Sequence, residues 1–349
     1  MRDSYRNRRA ACIENAALRL TVLEEGGHIA EISDKAAGVN PLWTPHWPSI
    51  EPSTFDPARH ALYGGTAEAA LLSGIMGHNL CLDIFGGPSA EEAAAGLPVH
   101  GEASTARFTI DTHDGHSLSM QAELRQAQLR VERRIDLVGH AVRVRESVTN
   151  LTGTDRPIGW TQHVTLGAPF LEPGRTQLRV SARRAKVFEG TVGPADYLAF
   201  GAEFEWPMAP RADGGITDLR TYTAASASSG YTAQQMDPSR EYAFAVAFSP
   251  AARLAFGCVW RRTDFPWMGL WEENRARTAA PWDGRTVTWG LEFGVSPFPE
   301  TRRQMIERGP LFGTPTLRWI PARGRVEVEY WFVLQSSEAP VDELVWPGE

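Results

Sequence analysis

The sequence predicts an all-β protein built as one large antiparallel sandwich with few short helices, and three observations carry that prediction. Short runs of strand-forming residues recur along the 349-residue chain, punctuated by Gly, Pro, Asn and Asp turn signals. Only 299–308, PETRRQMIER, is a well-signalled helix, with Pro at its start, Glu in its first turn and Gly309 just beyond. No fixed-period repeat, low-complexity tract or linker interrupts the pattern, so residues 1–349 read as a single domain.

Taken in order, AALRLTVL over 16–23 alternates as a first strand, and Gly26-Gly27 turns it into a second over 28–33. An irregular stretch follows from Asp34 to Gly65, with Trp43, Trp47 and five prolines. Loops this long inside a compact protein tend to serve function, and this one reads as the lid or rim of a cleft. Thr66–Leu72 is expected as a short helix ended by Gly74. Residues 77–104 show little periodicity but carry His78, Asp83 and His100.

From Ala106 strands follow one another. ARFTIDT and SLSMQAELR flank the turn His113-Asp114-Gly115-His116, and QLRVERRIDLV and AVRVRESVTNL flank Gly139-His140. Charged residues alternate with apolar ones there, so each strand has one wet and one buried face. Along 158–166 a period of two places Ile158, Trp160, Gln162, Val164 and Leu166 on one face. Gly159, Thr161, His163 and Thr165 take the other, a polar face with small side chains around a proton-transfer group. Further strands are expected near 177–180, 186–188, 241–248, 254–260, 268–273, 286–295 and 325–334.

Composition removes several function classes. Hydrophobic residues at 42% against 22% charged suffice for a large core. The net charge of -7 and scattered arginines leave no footprint for nucleic acid. The cluster Arg6–Arg9 is not followed by the apolar stretch of an export signal, since Glu14 falls where it should begin. No run of eighteen apolar residues predicts a membrane span. Cys12, Cys81 and Cys258 are too few and scattered for a disulfide framework or zinc cage, which points to reduced thiols and a cytoplasmic protein. Twelve tryptophans and twenty-four prolines are high; flat aromatic faces suit sugar binding and sheet cores equally. P-loop, dinucleotide and nucleophile-elbow motifs are absent. His113, His116 and His140 fall in expected turns, where solvent exposure is the natural reading.

Three pieces remain: Gly77–Ser104, the His163 strand, and Met268–Gly290, where a strand ends in Glu272 and Glu273. Two histidines and a carboxylate from separate strand ends are the minimum kit for taking a proton from one oxygen while giving one to another. Glu292, on the polar side of TVTWGLEFG, needs no more than a solvent role.

In order, these pieces resemble the aldose 1-epimerase (galactose mutarotase) superfamily, especially its glucose-6-phosphate 1-epimerase-like branch. LCLDIFGG over 80–87 and LPVHGE over 97–102 are similar to that branch's cysteine-and-aromatic segment and Pro-x-His-Gly signature. The strand carrying His163 after Val-x-Asn-Leu-Thr is similar to the second histidine strand, and Glu272 falls where the family places its catalytic glutamate. The resemblance implies a galactose mutarotase-like supersandwich that interconverts the anomers of an aldose without metal or redox cofactor. It implies Glu272 as the base on the anomeric hydroxyl, His163 as the acid on the ring oxygen and His100 as a hydrogen-bond partner. Asp83, His78, Glu102, Trp271 and Glu273 are expected around the sugar, with neither nucleic acid nor membrane as partner. Glu272 and Glu273 are not separated by the sequence. The branch's arginine before the Gly-rich run is matched here by Met76, which puts phosphate recognition in doubt. A sugar-binding protein of the same fold without turnover is the alternative; a lyase or hydrolase ranks behind both.

Overall fold

The computed structural model describes residues 3–347. Two antiparallel sheets dominate it. The larger, twelve-stranded among the described residues, runs from the edge strand Asp3–Tyr5 through Arg8–Glu14, Leu18–Leu23, Ile29–Asp34 and His78–Asp83 to a centre of Arg156–Gly167 and Val287–Gly294. It continues through Trp267–Asn274, Ser228–Met236 and Ala182–Val187 to Glu203–Glu205, while Arg318–Ile320 also pairs with Arg156–Gly167. The eight-stranded sheet is ordered Gln177–Val180, Tyr242–Ser249, Leu254–Arg261, Arg325–Ser336, Ala141–Asn150, Leu129–Val138, Ser117–Leu124 and Thr109–His113. This is the predicted β-sandwich.

Apolar residues from both sheets meet between the layers. Trp160, Val164 and Leu166 meet the same core as Val144, Phe256 and Phe332 from the opposite sheet, and Trp260 stacks on Phe293 at 4.4 Å. Burying such rings contributes roughly 25 cal/mol per Å² of apolar surface. The only helix longer than five residues among the described ones, Arg302–Arg308, begins with a capping box of Thr301 and Gln304 and ends at Gly309.

A polar bolt crosses the apolar core. Arg133, 2% exposed, donates Nε–H to Glu146 Oε2 at 2.7 Å and Nη1–H to the Gly27 carbonyl at 3.1 Å. Glu146 Oε1 accepts from Trp160 Nε1 at 2.6 Å and Gln162 Nε2 at 2.7 Å. Gln162 Oε1 in turn accepts from Tyr330 at 3.0 Å and lies 2.8 Å from His78 Nε2. The chain of contacts ties Gln162 to both sheets and fixes which face of its strand is the inner one.

Several sequence expectations change here. The basic run near the N-terminus is structural: Arg8 is fully buried in the strand Arg8–Glu14, bonded to Glu51, Ser49 and the carbonyls of Gly74 and Glu25. His78–Asp83 is a strand buried on both faces, so it lacks the alternation that betrays a half-buried one. Ser228–Met236 is buried throughout and escaped for the same reason. The short helix Ala90–Ala94 is marked by a capping box of Ser89 and Glu92 that the sequence reading passed over.

Because breaking a buried ion pair leaves an uncompensated charge, Glu146→Gln should cost about 3–5 kcal/mol of stability in urea denaturation. Replacing Arg133 by Met in the same chain should recover part of that loss. Equal stability of Glu146→Gln and the parent chain would contradict the bolt.

Candidate active site

The outer face of the larger sheet carries a cavity of about 530 Å³, and its floor is the polar face of the His163 strand. His163 and Thr165 come from that strand, Glu292 from its neighbour, and Tyr231 and Trp271 from the next two. His100 and Phe85 enter from the segment after His78–Asp83. Trp43 and the stretch from Glu68 to Ile75 build one wall, so the long loop contributes to the rim, and Trp282 with Arg277 forms another.

Strand register brings the acid–base groups together. His163 and Glu292 are direct cross-strand partners, and His163 Nε2 lies 3.0 Å from Glu292 Oε1. His163 Nδ1 is 3.0 Å from the Thr165 hydroxyl, so both ring nitrogens are held and the imidazole plane is fixed. Both residues are nearly inaccessible, at 6% and 1% exposure. Glycines make room for the carboxylate. A β-carbon at Gly290 would strike Glu292, and one at Gly269, the cross-strand partner of Glu292, would strike the Tyr231 hydroxyl.

His100 is set differently. Its Nδ1 lies 2.6 Å from the Phe85 carbonyl, which only accepts, so Nδ1 carries the proton and Nε2 keeps its lone pair. Burial and the neighbouring His163 push its pKa down to about 3, so the ring stays neutral near pH 7. The two imidazoles are 5.3 Å apart between centroids, and Trp271 stands 5.8 Å from His163.

Of the residues singled out from sequence, His163, His100 and Trp271 line the cavity. The others do different work. Glu272 lies on the core face of its strand with Met268 and Leu270, because a period of two turns it away from Trp271. Its carboxyl accepts from Ser228 at 2.5 Å and from Tyr197 at 3.3 Å, in a separate small cleft with Leu219 and Trp289. Glu273 closes a turn, taking the N–H groups of Ala276 at 2.8 Å and Arg277 at 3.0 Å. Asp83 is fully buried between Arg156 and Arg302 and clasps the late helix to the sheet. His78 belongs to the core bolt, and Glu102 caps the turn at Arg125–Ala127 by accepting three backbone N–H groups.

Known structures share this architecture. A provisionally assigned aldose 1-epimerase of Klebsiella pneumoniae superposes with a TM-score of 0.67 at 13% identity, over 96% of this chain and 82% of that one. A galactose mutarotase-like protein of Clostridium acetobutylicum gives 0.63 at 10% identity, over 96% and 98%. A provisionally assigned aldose 1-epimerase of Escherichia coli K12 gives 0.61 at 14% identity, over 94% and 99%. The chain has the galactose mutarotase-like fold. By sequence, no family model and no curated protein matches it. At such identities the likeness speaks for fold alone, and it does not bear on the glucose-6-phosphate branch.

Within the mutarotase-like sandwich, the residue that sequence reasoning missed is Glu292. Its alternation was read correctly, but the polar side of its strand is the cavity floor and not bulk solvent. The available signal was glycine: Gly290 and Gly294 flank Glu292 on its own face, and mid-strand glycines mark close approach. Tyr231 lies in Ser228–Met236, whose burial throughout hides it from a period-two reading, and Trp43 and Trp282 lie in irregular segments where periodicity says nothing.

Burial raises the pKa of Glu272 to about 7, which stabilises its neutral form. The folded-state value exceeds the unfolded one, so this contribution is complete below about pH 4.5 and is lost as pH rises through 7. Glu272→Gln, which mimics the neutral acid, should therefore gain thermal stability relative to the parent chain at pH 8.5 but not at pH 4.5. A difference in melting temperature that does not change with pH would refute this.

Proposed function

We propose that this cavity opens and recloses the ring of an aldose, interconverting its anomers, with Glu292 and His163 as the proton-moving pair. The observation that carries the reading is the 3.0 Å contact between His163 Nε2 and Glu292 Oε1 on the floor of an aromatic cavity. Both groups stand on adjacent strands at the centre of a rigid sheet, which suits chemistry that needs fixed distances.

A sugar entering between His163 and Glu292 breaks their 3.0 Å contact, which frees the His163 Nε2–H for the ring oxygen and the Glu292 carboxylate for the anomeric hydroxyl. Glu292 takes the proton of the anomeric hydroxyl while His163 gives one to the ring oxygen. The bond between C1 and the ring oxygen breaks, leaving an open-chain aldehyde. Rotation about C1–C2 presents the other face of the carbonyl. The hydroxyl then attacks C1 and returns its proton to His163, while Glu292 returns the other to the carbonyl oxygen. Protons and charge balance over the cycle, and it consumes no redox equivalent.

His100 takes a narrower role than the resemblance implied. With Nδ1–H committed to the Phe85 carbonyl, its neutral Nε2 can accept from a sugar hydroxyl but has no proton for the ring oxygen. Trp271 lines the cavity beside His163, where an aromatic ring can pack against the C–H side of a pyranose. A free aldose suits the cavity better than a sugar phosphate. Arg277 is the one Arg or Lys among the described lining residues, and two of its three nitrogens are already engaged. Nη2–H goes to the Val192 carbonyl at 2.6 Å, and Nε lies 3.4 Å from Glu273.

The test is the rate of anomer interconversion by proton NMR across free and phosphorylated aldoses. Glu292→Gln and His163→Ala should each lower the catalysed rate by roughly 10²–10⁴-fold, the usual weight of a positioned acid or base. Glu272→Gln should lower it only a few-fold. Loss with Glu272→Gln but not Glu292→Gln would restore the base expected from sequence. Sugar binding without acceleration would favour the binding-protein alternative.

A further inference from the structure

Glu292 meets a different neighbour at each of its oxygens. Oε1 lies 3.0 Å from His163 Nε2. Oε2 borders a gap in the sheet at Gly269, the cross-strand partner of Glu292. A β-carbon on Gly269 would stand 3.2 Å from Glu292 Oε2 and would strike the Tyr231 hydroxyl. Tyr231 comes from Ser228–Met236, the strand beyond Gly269, and leans across the glycine towards the carboxylate. The missing side chain is what lets the two groups meet.

The tyrosine is clamped. Its ring stands 6.0 Å from Phe188 and 6.3 Å from both Phe85 and Phe298, and the residue is 3% exposed. A ring packed this way presents its hydroxyl in one place and has little freedom left to lose.

The phenol has one proton and two acceptors in reach. The Pro297 carbonyl is 3.2 Å away, long for an O–H···O bond, and an ionised carboxylate draws the proton more strongly. Burial, with Glu292 beside it, holds the phenol well above its ordinary pKa of 10, so the proton stays on the oxygen. The other titratable neighbours do not compete. Burial pushes the Cys81 thiol up, and Glu300 is already bonded to Arg308 Nε at 2.8 Å. His100, on the far side of His163, is a neutral ring.

We infer that Tyr231 is a positioning residue for Glu292: its hydroxyl holds the carboxylate at Oε2 while a sugar displaces His163 from Oε1. The purpose rests on the epimerase reading, but the contact does not. In the resting chain the O–H donates to Glu292. Once Glu292 has taken the anomeric proton it accepts less strongly, and the O–H turns to the Pro297 carbonyl. It returns when Glu292 gives the proton back. Tyr231 itself neither gains nor loses a proton.

The contact is tested by carbon NMR of the full chain labelled at the tyrosine Cζ, a nucleus that senses what the hydroxyl donates to. Tyr231→Phe identifies the Tyr231 signal among those of the seven tyrosines. Glu292→Gln, whose amide oxygen accepts more weakly than a carboxylate, should move that signal. A signal that stays in place overturns the inference whether or not the chain acts on a sugar.

The purpose is tested by anomer exchange. Tyr231→Phe keeps the packed ring and should lower kcat about tenfold, the weight of one hydrogen bond to a charged group, with KM changed less than about twofold. Gly269→Ala, which keeps both groups but fills the gap between them, should act in the same direction. In a Glu292→Gln background Tyr231→Phe should cost nothing further, which a tyrosine that only supports the fold would not obey. Equal losses in both backgrounds, or no loss in either, overturn the positioning role. If the parent chain accelerates no aldose while the Tyr231 signal answers to Glu292, the hold on Glu292 stands and only the epimerase reading falls.

Discussion

One strand's choice of face governs the rest. In Arg156–Gly167 the side chains alternate between the core and the cavity, and a slip of one residue would exchange His163 for Gln162 or Val164. Apolar burial of Trp160, Val164 and Leu166 already favours the observed register. The bolt through Gln162, Glu146 and Arg133 makes the alternative far costlier, because each partner would be left buried and unpaired. This polar network thus sits directly behind His163.

The same sheet handles two buried carboxyls in opposite ways. Glu272 faces the core with two hydroxyl donors and no cation in its shell, so burial favours its protonated form. Glu292, one strand away and on the other face, lies against an imidazole and lines a cavity that a ligand can enter. Position along a strand decides which carboxyl meets the cavity and which meets the core. A glutamate at a strand end, attractive in a sequence, is here a packed group, whereas the mid-strand one opens on the cavity.

The legibility of the sequence follows from that contrast. Strands with one wet face, such as Leu129–Val138 and Ala141–Asn150, declare themselves by alternation, and the sandwich could be read from them. His163 was legible because small polar residues share its face. The partner carboxylate was not, since period two distinguishes core from non-core but cannot tell solvent from a cavity roofed by distant segments. That roof comes from Trp43, the Glu68–Ile75 stretch and Trp282, all outside regular strands. Asp83, His78 and Glu102 looked chemical for the opposite reason. Buried clasps, bolts and turn caps draw on the same side chains as active sites, and only their partners tell them apart.

The two histidines show how backbone placement sets chemical role before any substrate arrives. His100 adopts a positive φ of 65° and hangs its Nδ1–H on the Phe85 carbonyl, while its own N–H donates to the Gly86 carbonyl. Those bonds fix the tautomer, and burial removes the charged form, leaving a ring that can only accept at Nε2. His163 stands in regular strand, with a carboxylate that accepts from Nε2 and a hydroxyl at Nδ1 that can either donate or accept. The pair is therefore not interchangeable: one histidine can hold a hydroxyl and the other can give up a proton. The proposed protonation of one sugar oxygen and not its neighbours would use that asymmetry, which follows from which carbonyl, hydroxyl or carboxylate each ring nitrogen meets.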